Sequence, residues 1–102
     1  MMDKRKNELA PDGVLAITKA LADARRVGIL TSIARAGGEM PCCQLPDLGK
    51  VSAATISHHM KELENAGLIA IRREGKFAHL RLCDDVVDAY CDRMKEMLSP
   101  PP

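Results

Sequence analysis

Four cysteines have the most distinctive chemistry in this sequence, because thiolates bind soft metal ions and metalloids and react with oxidants. Cys42 and Cys43 are adjacent, whereas Cys83 and Cys91 lie near the end of the chain. The Cα atoms of adjacent residues are closer than a disulfide normally requires, so no bond between Cys42 and Cys43 is expected. A soft metalloid needs about three sulfur ligands, so Cys83 or Cys91, from the same chain or a partner chain, would have to join them.

Basic side chains near residue 75 form a second group with defined chemistry. Arg72, Arg73, Lys76 and Arg81 are accompanied only by Glu74, although the whole chain carries a formal net charge of +1. Lysine and arginine side chains at this density neutralise phosphate groups. The sequence therefore predicts a local phosphate-binding surface on a chain that is nearly neutral overall.

The composition restricts the kind of domain that can hold these groups. The chain has 102 residues, 46% of them hydrophobic, and Tyr90 and Phe77 are its only aromatic residues. This length suits one small aliphatic core, and two aromatic side chains do not make a base-stacking surface. No apolar run approaches the roughly 20 residues of a membrane span, and the first residues do not form a secretory signal. We therefore expect a cytoplasmic protein with no membrane association.

The spacing of apolar residues predicts two helices in the first part of the chain. One helix begins at Asp12, and a second is capped by Asp23 and ended by Gly37-Gly38. A shorter helical segment is expected to begin near Pro41, ahead of a turn at Gly49. The positions at helical spacing are Val14, Leu15, Thr18 and Leu21 in the first helix and Val27, Leu30, Ile33 and Ala34 in the second.

A longer helix, a hairpin and a final helix complete the predicted elements. Ser52 can cap a helix that runs to Ala66, where Gly67 provides a left-handed stop. The apolar period then changes to two, which predicts two strands joined by the basic segment 72–76. Asp84 is expected to cap the last helix. The apolar stripe of that helix, on which Cys91 is expected to be a packed thiol, comprises Val86, Val87, Tyr90, Cys91, Met94, Met97 and Leu98.

This order of elements is mainly α with a small β-hairpin, and it is typical of a winged helix-turn-helix. We expect the folded unit to span residues 11–98, between flexible tails at 1–10 and 99–102. The longer helix would enter the major groove, with Ser57 and His58 facing DNA and His59 packing inward. The predicted DNA-binding residues are Ser52, Ala53, Ala54, Thr55, Ser57, His58, Lys61, Arg72, Arg73 and Lys76.

The chain resembles the ArsR/SmtB family of winged-helix repressors over about residues 14–98. The segments that carry the resemblance are Lys19 to Asp23, Arg26, Ile29-Leu30, Ser52 to Met60, Leu63, Ala66 to Ile69 and Arg73 to Lys76. The resemblance implies a homodimer that binds an inverted-repeat operator in double-stranded DNA and leaves it when an inducer, such as a metalloid or heavy-metal ion, binds. It also implies a dimer interface made by the first and last helices, for which we predict Val14, Leu15, Val86, Val87, Tyr90, Met94 and Met97.

The sensing sites of the family are only partly matched. The Cys-x-Cys pattern of arsenic and cadmium sensors coincides with this chain at Cys43, and Pro41 stands where the first thiolate would be. No histidine follows His79 to supply the ligands of a zinc sensor, and the second helix lacks the cysteine of persulfide sensors. Cys42 and Cys43 are therefore the candidate metal-binding or thiol-sensing residues, with Cys83 or Cys91 as candidate additional ligands; the alternative is that these cysteines are structural or incidental.

Other interpretations remain open at the level of the sequence. Thiol sensing competes with a response to a small organic ligand or to no ligand, and a winged helix can also bind a protein partner. Arg25 and Arg26 are expected to be solvated at a helix start, with a phosphate contact or an intramolecular ion pair as the alternative. The aspartates of the last helix are expected to form a solvated acidic face. An enzyme is not expected, because the chain has no Ser-His-Asp order, no phosphate-binding glycine loop and no obvious carboxylate pair.

Overall fold

The described part of the chain folds into four α-helices and three short strands. The computed structural model describes residues 9–46 and 50–102, so the expected turn at Gly49 and most of the expected tail at 1–10 lie outside the described residues. The elements in order are α1 (Pro11–Leu21), α2 (Ala24–Arg35), β1 (Glu39–Pro41), a 3₁₀ turn (Cys42–Gln44), α3 (Ala53–Asn65), β2 (Ile69–Glu74), β3 (Phe77–Leu82) and α4 (Asp84–Leu98). The predicted fold, mainly α with a small hairpin in winged helix-turn-helix order, is confirmed.

The ends of α2 and α3 follow from the capping residues that the sequence offers. The Asp23 carboxylate accepts hydrogen bonds of 2.9 and 3.1 Å from two backbone N–H groups in the first turn of α2. The Ser52 hydroxyl accepts one of 3.1 Å at the start of α3. After α3 the chain turns at Gly67, whose φ of 83° is accessible to glycine at little cost. The predicted boundaries of these two helices are confirmed.

The start of α4 differs from the prediction. Cys83 occupies the N-cap position without a capping side-chain hydrogen bond, and Asp84 is the first helical residue. The prediction that Asp84 caps this helix is therefore wrong. Asp84 and Asp85 still favour the helix electrostatically, because negative charges in the first turn interact with the positive end of the helix dipole.

The three strands form an antiparallel sheet in the order β1-β3-β2. The hairpin β2-β3 was predicted, but β1 was not, because a three-residue strand is too short to show a period of two. Pro41 is tolerated in β1 because this strand lies at the edge of the sheet, where a missing N–H group breaks no ladder. The predicted short helix after Pro41 is a single 3₁₀ turn.

The core takes one or more fully buried side chains from each of α1, α2, α3 and the hairpin. These residues are Ile17, Ile33, Leu63, Leu68 and Leu80. The inward face of α2 differs from the predicted one, because Ile29 is buried whereas Val27 is 41% exposed. Since α3 contributes directly to this core, its orientation is fixed by packing.

The last helix, α4, contributes fewer buried side chains to the core than the other helices do. Ala89 is its only buried residue among those described, and Val86, Val87 and Tyr90 pack partly against the core. Met97 and Leu98 are 53% and 73% exposed. No helix within residues 9–46 and 50–102 is long and apolar enough to cross a lipid bilayer.

Candidate nucleic-acid interface

The helix α3 has one buried face and one solvent-exposed face. The residues that face the core are Ile56, His59, Met60 and Leu63. The residues on the exposed face are Ala53, Ala54, Ser57, His58 and Lys61. Small side chains near the N-terminus leave the helix backbone accessible, which is what close approach to base edges in a major groove requires. The predicted division of α3 is confirmed, including the inward position of His59.

A shallow groove of about 370 Å³ separates this exposed face from strand β2. Its walls bring predicted residues from two elements together: Ala54, Ser57, His58 and Lys61 from α3, and Arg73 from β2. Met60 and Ile71 form part of the lining. The helix and the hairpin therefore present one continuous surface.

The basic side chains of the hairpin differ in whether they already form an ion pair. Arg72 donates from Nε to Glu74 Oε2 at 3.2 Å, so one basic side chain is already engaged. Arg73 and Lys76 are exposed and make no ion pair with any residue that the structure describes. On α3, Lys61 lies 3.7 Å from Glu64. Of the three hairpin cations predicted to bind DNA, Arg73 and Lys76 are thus more available to phosphate than Arg72.

Arg26 has a role that the sequence did not reveal. Its guanidinium donates to the carbonyl of Ala20 at 2.7 Å and contacts Nδ1 of His59 at 3.1 Å. The prediction that Arg26 is solvated is therefore wrong: it connects α1, α2 and α3. His59 is 33 residues from Arg26 in sequence, so residue spacing gave no signal for this connection to α3.

The cysteine thiols occupy contrasting positions. Cys42 is partly buried and donates to the sulfur of Met60 at 3.5 Å, whereas Cys43 and Cys91 are exposed. Cys91 is not packed within the single chain, contrary to the prediction. Within residues 9–46 and 50–102, no three His, Cys, Asp or Glu side chains gather in an arrangement that could hold a metal ion. The four predicted sensing residues do not form one cluster in a single chain.

The two partly buried thiols are poorly suited to reaction at neutral pH. Burial raises the pKa of Cys42, the neighbouring Cys43 raises it further, and Arg73 lowers it in part. Burial likewise raises the pKa of Cys83, Arg81 lowers it, and Asp85 and Asp84 raise it. Since the thiolate is the nucleophile and metal ligand, both groups are less reactive than an ordinary exposed cysteine.

The predicted interface residues differ in their availability to a partner. Val14 is 5% exposed and buried within its own chain, whereas Leu15 is 54% exposed on α1. The hydroxyl groups of Thr18 and Tyr90 lie 2.8 Å apart and connect α1 to α4. Met94 is intermediate in exposure. On α1 and α4, the large apolar side chains that are exposed are Leu15, Met97 and Leu98.

A helix, a turn, a second helix with an exposed polar face and a basic hairpin define a winged helix-turn-helix protein. A sequence model of the family described as bacterial regulatory protein, arsR family, matches residues 23–70. The chain is 35% identical over 95 residues to the cadmium resistance transcriptional regulatory protein CadC homolog of Staphylococcus aureus, covering 90% of this chain and 78% of that protein. It is 36% identical over 91 residues to the arsenic resistance transcriptional regulator ArsR1 of Pseudomonas putida, covering 82% and 70%. The chain belongs to the ArsR family of bacterial transcriptional regulators.

Solved structures agree with this fold. The crystal structure of an ArsR family transcriptional regulator superposes with a TM-score of 0.74 at 20% identity, over 93% of this chain and 99% of that one. The homodimeric winged helix-turn-helix DNA-binding domain of a possible ArsR-family regulator from Mycobacterium bovis has a TM-score of 0.64 and 27% identity, over 87% and 83%.

Proposed function

We propose that this regulator is a cytoplasmic, non-enzymatic repressor that binds an inverted-repeat operator in double-stranded DNA as a homodimer. The observation that carries the proposal is the continuous surface formed by the exposed polar face of α3 and the basic hairpin. Two copies of α3 related by a two-fold axis would enter successive major grooves about 34 Å apart. The names of the cadmium and arsenic resistance relatives agree with a role in transcriptional control.

Base recognition is assigned to Ser57 and His58, and phosphate binding to Lys61, Arg73 and Lys76. Ser57 and His58 are exposed on the groove side of α3, where a hydroxyl and an imidazole can exchange hydrogen bonds with base edges. Lys61 and Arg73 line the same groove, Lys76 is exposed on the hairpin, and the three cations would position the helix without reading sequence. Of the remaining predicted DNA-binding residues, Ala54 lines the groove, Ser52, Ala53 and Arg72 are exposed, and Thr55 is partly exposed.

The test compares operator DNA with random DNA. Ser57→Ala and His58→Ala are expected to weaken operator binding by about tenfold each, because one base contact is worth roughly 1–3 kcal/mol of discrimination, while binding to random DNA changes little. Fluorescence anisotropy at fixed salt concentration measures the dissociation constants for operator DNA and for random DNA. Equal losses on the two DNAs would show that these residues do not read bases.

We infer that the proposed inducer is thiol-reactive and acts first at Cys43. This thiol is exposed, whereas the neighbouring Cys42 is partly buried against Met60 and has a raised pKa. Iodoacetamide at pH 7.5 is therefore expected to modify Cys43 faster than Cys42, which peptide mass spectrometry measures. A faster reaction at Cys42 would contradict the assignment.

Operator release tests the same proposal functionally. Arsenite, cadmium, peroxide and persulfide are added separately to the protein on its operator, and the measurement is repeated with Cys43→Ser and with Cys42→Ser. Release by one of these agents that is abolished in Cys43→Ser supports thiol sensing. Release that persists when Cys42→Ser and Cys43→Ser are combined in one protein would show that neither thiol is needed for sensing. Cys83→Ser and Cys91→Ser show whether a further thiol takes part.

A further inference from the structure

Phe77 is an exposed aromatic residue on the basic hairpin. Its side chain is 67% exposed, and the other exposed large hydrophobic side chains among the described residues lie on α1, α2 and α4. A single exposed apolar side chain is common on a protein surface, so its position decides whether it has a role. Phe77 is the one such side chain that lies within the surface proposed to bind DNA.

The strand register places Phe77 at the tip of the hairpin. Phe77 pairs with Glu74, and this pair is the last one before the two-residue turn at Gly75 and Lys76. Successive side chains of a strand point to opposite faces of the sheet, so Phe77 lies on the face opposite to Leu80. Since Leu80 is completely buried, the ring of Phe77 is directed away from the core.

The charged side chains around Phe77 leave one free cation beside the ring. Arg72 and Glu74 lie on the same face as Phe77, because they are its diagonal and direct cross-strand neighbours. Arg72 and Glu74 pair with each other at 3.2 Å, so their charges largely offset. Lys76, next to Phe77 in the chain, is exposed and has no ion-pair partner in the part of the chain that the structure describes. An apolar ring beside a free cation suits a partner whose apolar groups lie next to anions.

We propose that Phe77 packs against deoxyribose at the edge of the minor groove, while Lys76 neutralises an adjacent phosphate. The proposal rests on the proposed binding of DNA by α3 and the hairpin. Deoxyribose rings alternate with phosphates along each strand and line the minor groove, where proteins are known to place apolar side chains. Contact between the ring and a sugar removes apolar surface from water without releasing a counterion. The hairpin therefore adds an affinity that does not depend on salt to the affinity that its cations provide.

Two features favour DNA over a protein as the partner that covers Phe77. The ring lies on the same hairpin as Arg73, which lines the groove beside α3, so it continues the proposed DNA-binding surface. The neighbouring free cation is complementary to phosphate. The predicted dimer interface, in contrast, is made by α1 and α4, and Phe77 belongs to neither helix.

The first experiment measures the affinity of Phe77→Ala for operator and random DNA over a range of salt concentrations. Both affinities are expected to fall about five- to tenfold, because the lost contact is apolar and made to a sugar. The slope of log K against log salt concentration should stay as in the wild type, whereas Lys76→Ala should make it shallower by about 0.9. Phe77→Leu keeps an apolar side chain and should bind within about threefold of the wild type. Val27→Ala, which shortens an exposed apolar residue on α2, is the matched control and should change neither quantity.

Hydroxyl-radical footprinting locates the contact on the DNA. The radicals cleave DNA by attacking deoxyribose C–H groups at the minor groove, so a covered sugar is protected. On operator DNA saturated with protein, Phe77→Ala is expected to lose protection at the sugars that the hairpin covers and to keep it elsewhere. A general loss of folding would reduce protection over the whole operator. Since Phe77 is largely exposed, Tm should remain nearly unchanged.

Three results would overturn the proposal. They are wild-type affinity in Phe77→Ala, a loss of affinity accompanied by a shallower salt slope, and an unchanged footprint. Dissociation of the Phe77→Ala dimer in sedimentation equilibrium would also overturn it, because a second copy of the chain would then be the partner that covers the ring. Failure of the DNA-binding assignment itself is distinguishable, because the wild-type protein would then show no preference for operator over random DNA.

Discussion

Two surfaces of this protein contrast in how they are held and in what they expose. The proposed DNA-facing surface consists of the exposed face of α3 and the hairpin, and α3 is anchored beneath it by Leu63 and by His59. The predicted partner-facing surface consists of the exposed sides of α1 and α4, and α4 buries only Ala89 among the described residues. A helix that is anchored can present a defined polar pattern, whereas a helix with exposed apolar side chains needs a second chain to cover it.

The charges divide in the same way. Arg73 and Lys76 are exposed on the hairpin, whereas the exposed aspartates of α4 are Asp84, Asp85, Asp88 and Asp92. The formal net charge of +1 for the whole chain therefore conceals a basic hairpin and an acidic last helix. If the hairpin binds DNA as proposed, this separation would favour contact through the hairpin and disfavour contact through the acidic helix. The following changes separate the two surfaces, beginning with the largest expected effect.

The apolar part of the partner-facing surface is expected to hold the dimer together. Leu15→Glu combined with Met97→Glu places charges where two exposed apolar side chains would be covered, so the dimer is expected to dissociate. Operator affinity should fall by at least about 100-fold, because two linked recognition helices become independent. Sedimentation equilibrium and anisotropy measure the two effects.

Val27→Glu is the matched control for this substitution. Val27 is also an exposed apolar residue, at 41%, but lies on α2. The Val27→Glu substitution is expected to leave the dimer intact. A double variant that remains dimeric, or dissociation of Val27→Glu to the same extent, would contradict the assignment of the interface to α1 and α4.

The sequence predicted elements whose signals are local and missed those that depend on distant partners. Asp23, Ser52 and Gly67 mark helix ends through their own side chains or backbone freedom, so α2 and α3 were predicted correctly. The strand β1 exists because Glu39 pairs with Arg81, a partner that no local pattern identifies. The candidate site shows the same difference. The exposed face of α3 can be predicted from the helical period of the sequence, whereas the hydrogen bond from Arg26 to α3 can be identified only once the chain has folded.

The basic hairpin is expected to contribute affinity without selectivity. Arg72→Ala, Arg73→Ala and Lys76→Ala together should weaken binding to operator and random DNA alike, by roughly tenfold or more at physiological salt. The slope of log K against log salt concentration should become shallower by about 0.9 for each phosphate that the hairpin no longer neutralises. Arg93→Ala with Lys95→Ala, which removes basic side chains from α4, is the control and should preserve the slope. An unchanged slope in the hairpin variant would show that the hairpin does not bind phosphate.

Substitutions of two serines on the proposed DNA-facing surface are expected to affect thermal stability and DNA recognition separately. Ser52 caps α3 through the backbone N–H of Thr55, so Ser52→Ala should cost about 1 kcal/mol of stability and lower Tm by roughly 4–8 °C. Ser57 is exposed on the same helix, so Ser57→Ala should leave Tm nearly unchanged. Thermal unfolding at equal protein concentration measures both, since dimerisation makes Tm depend on concentration. Equal shifts in Tm would show that the Ser52 cap does not stabilise α3.

The smallest expected effect comes from the acidic residue of the hairpin. Glu74 is 3.2 Å from Arg72, and both side chains are more than half exposed, at 66% and 60%, so the ion pair adds little stability. Glu74→Gln releases Arg72 for phosphate and removes a negative charge from the DNA-facing surface. Binding to any DNA is therefore expected to strengthen about two- to threefold at low salt, with the gain disappearing as salt is raised. Glu96→Gln breaks a similar pair, 3.1 Å from Arg93, on α4 and should not change affinity. If both substitutions strengthened binding equally, the effect would come from net charge alone, and the contrast between the two surfaces would not govern DNA binding.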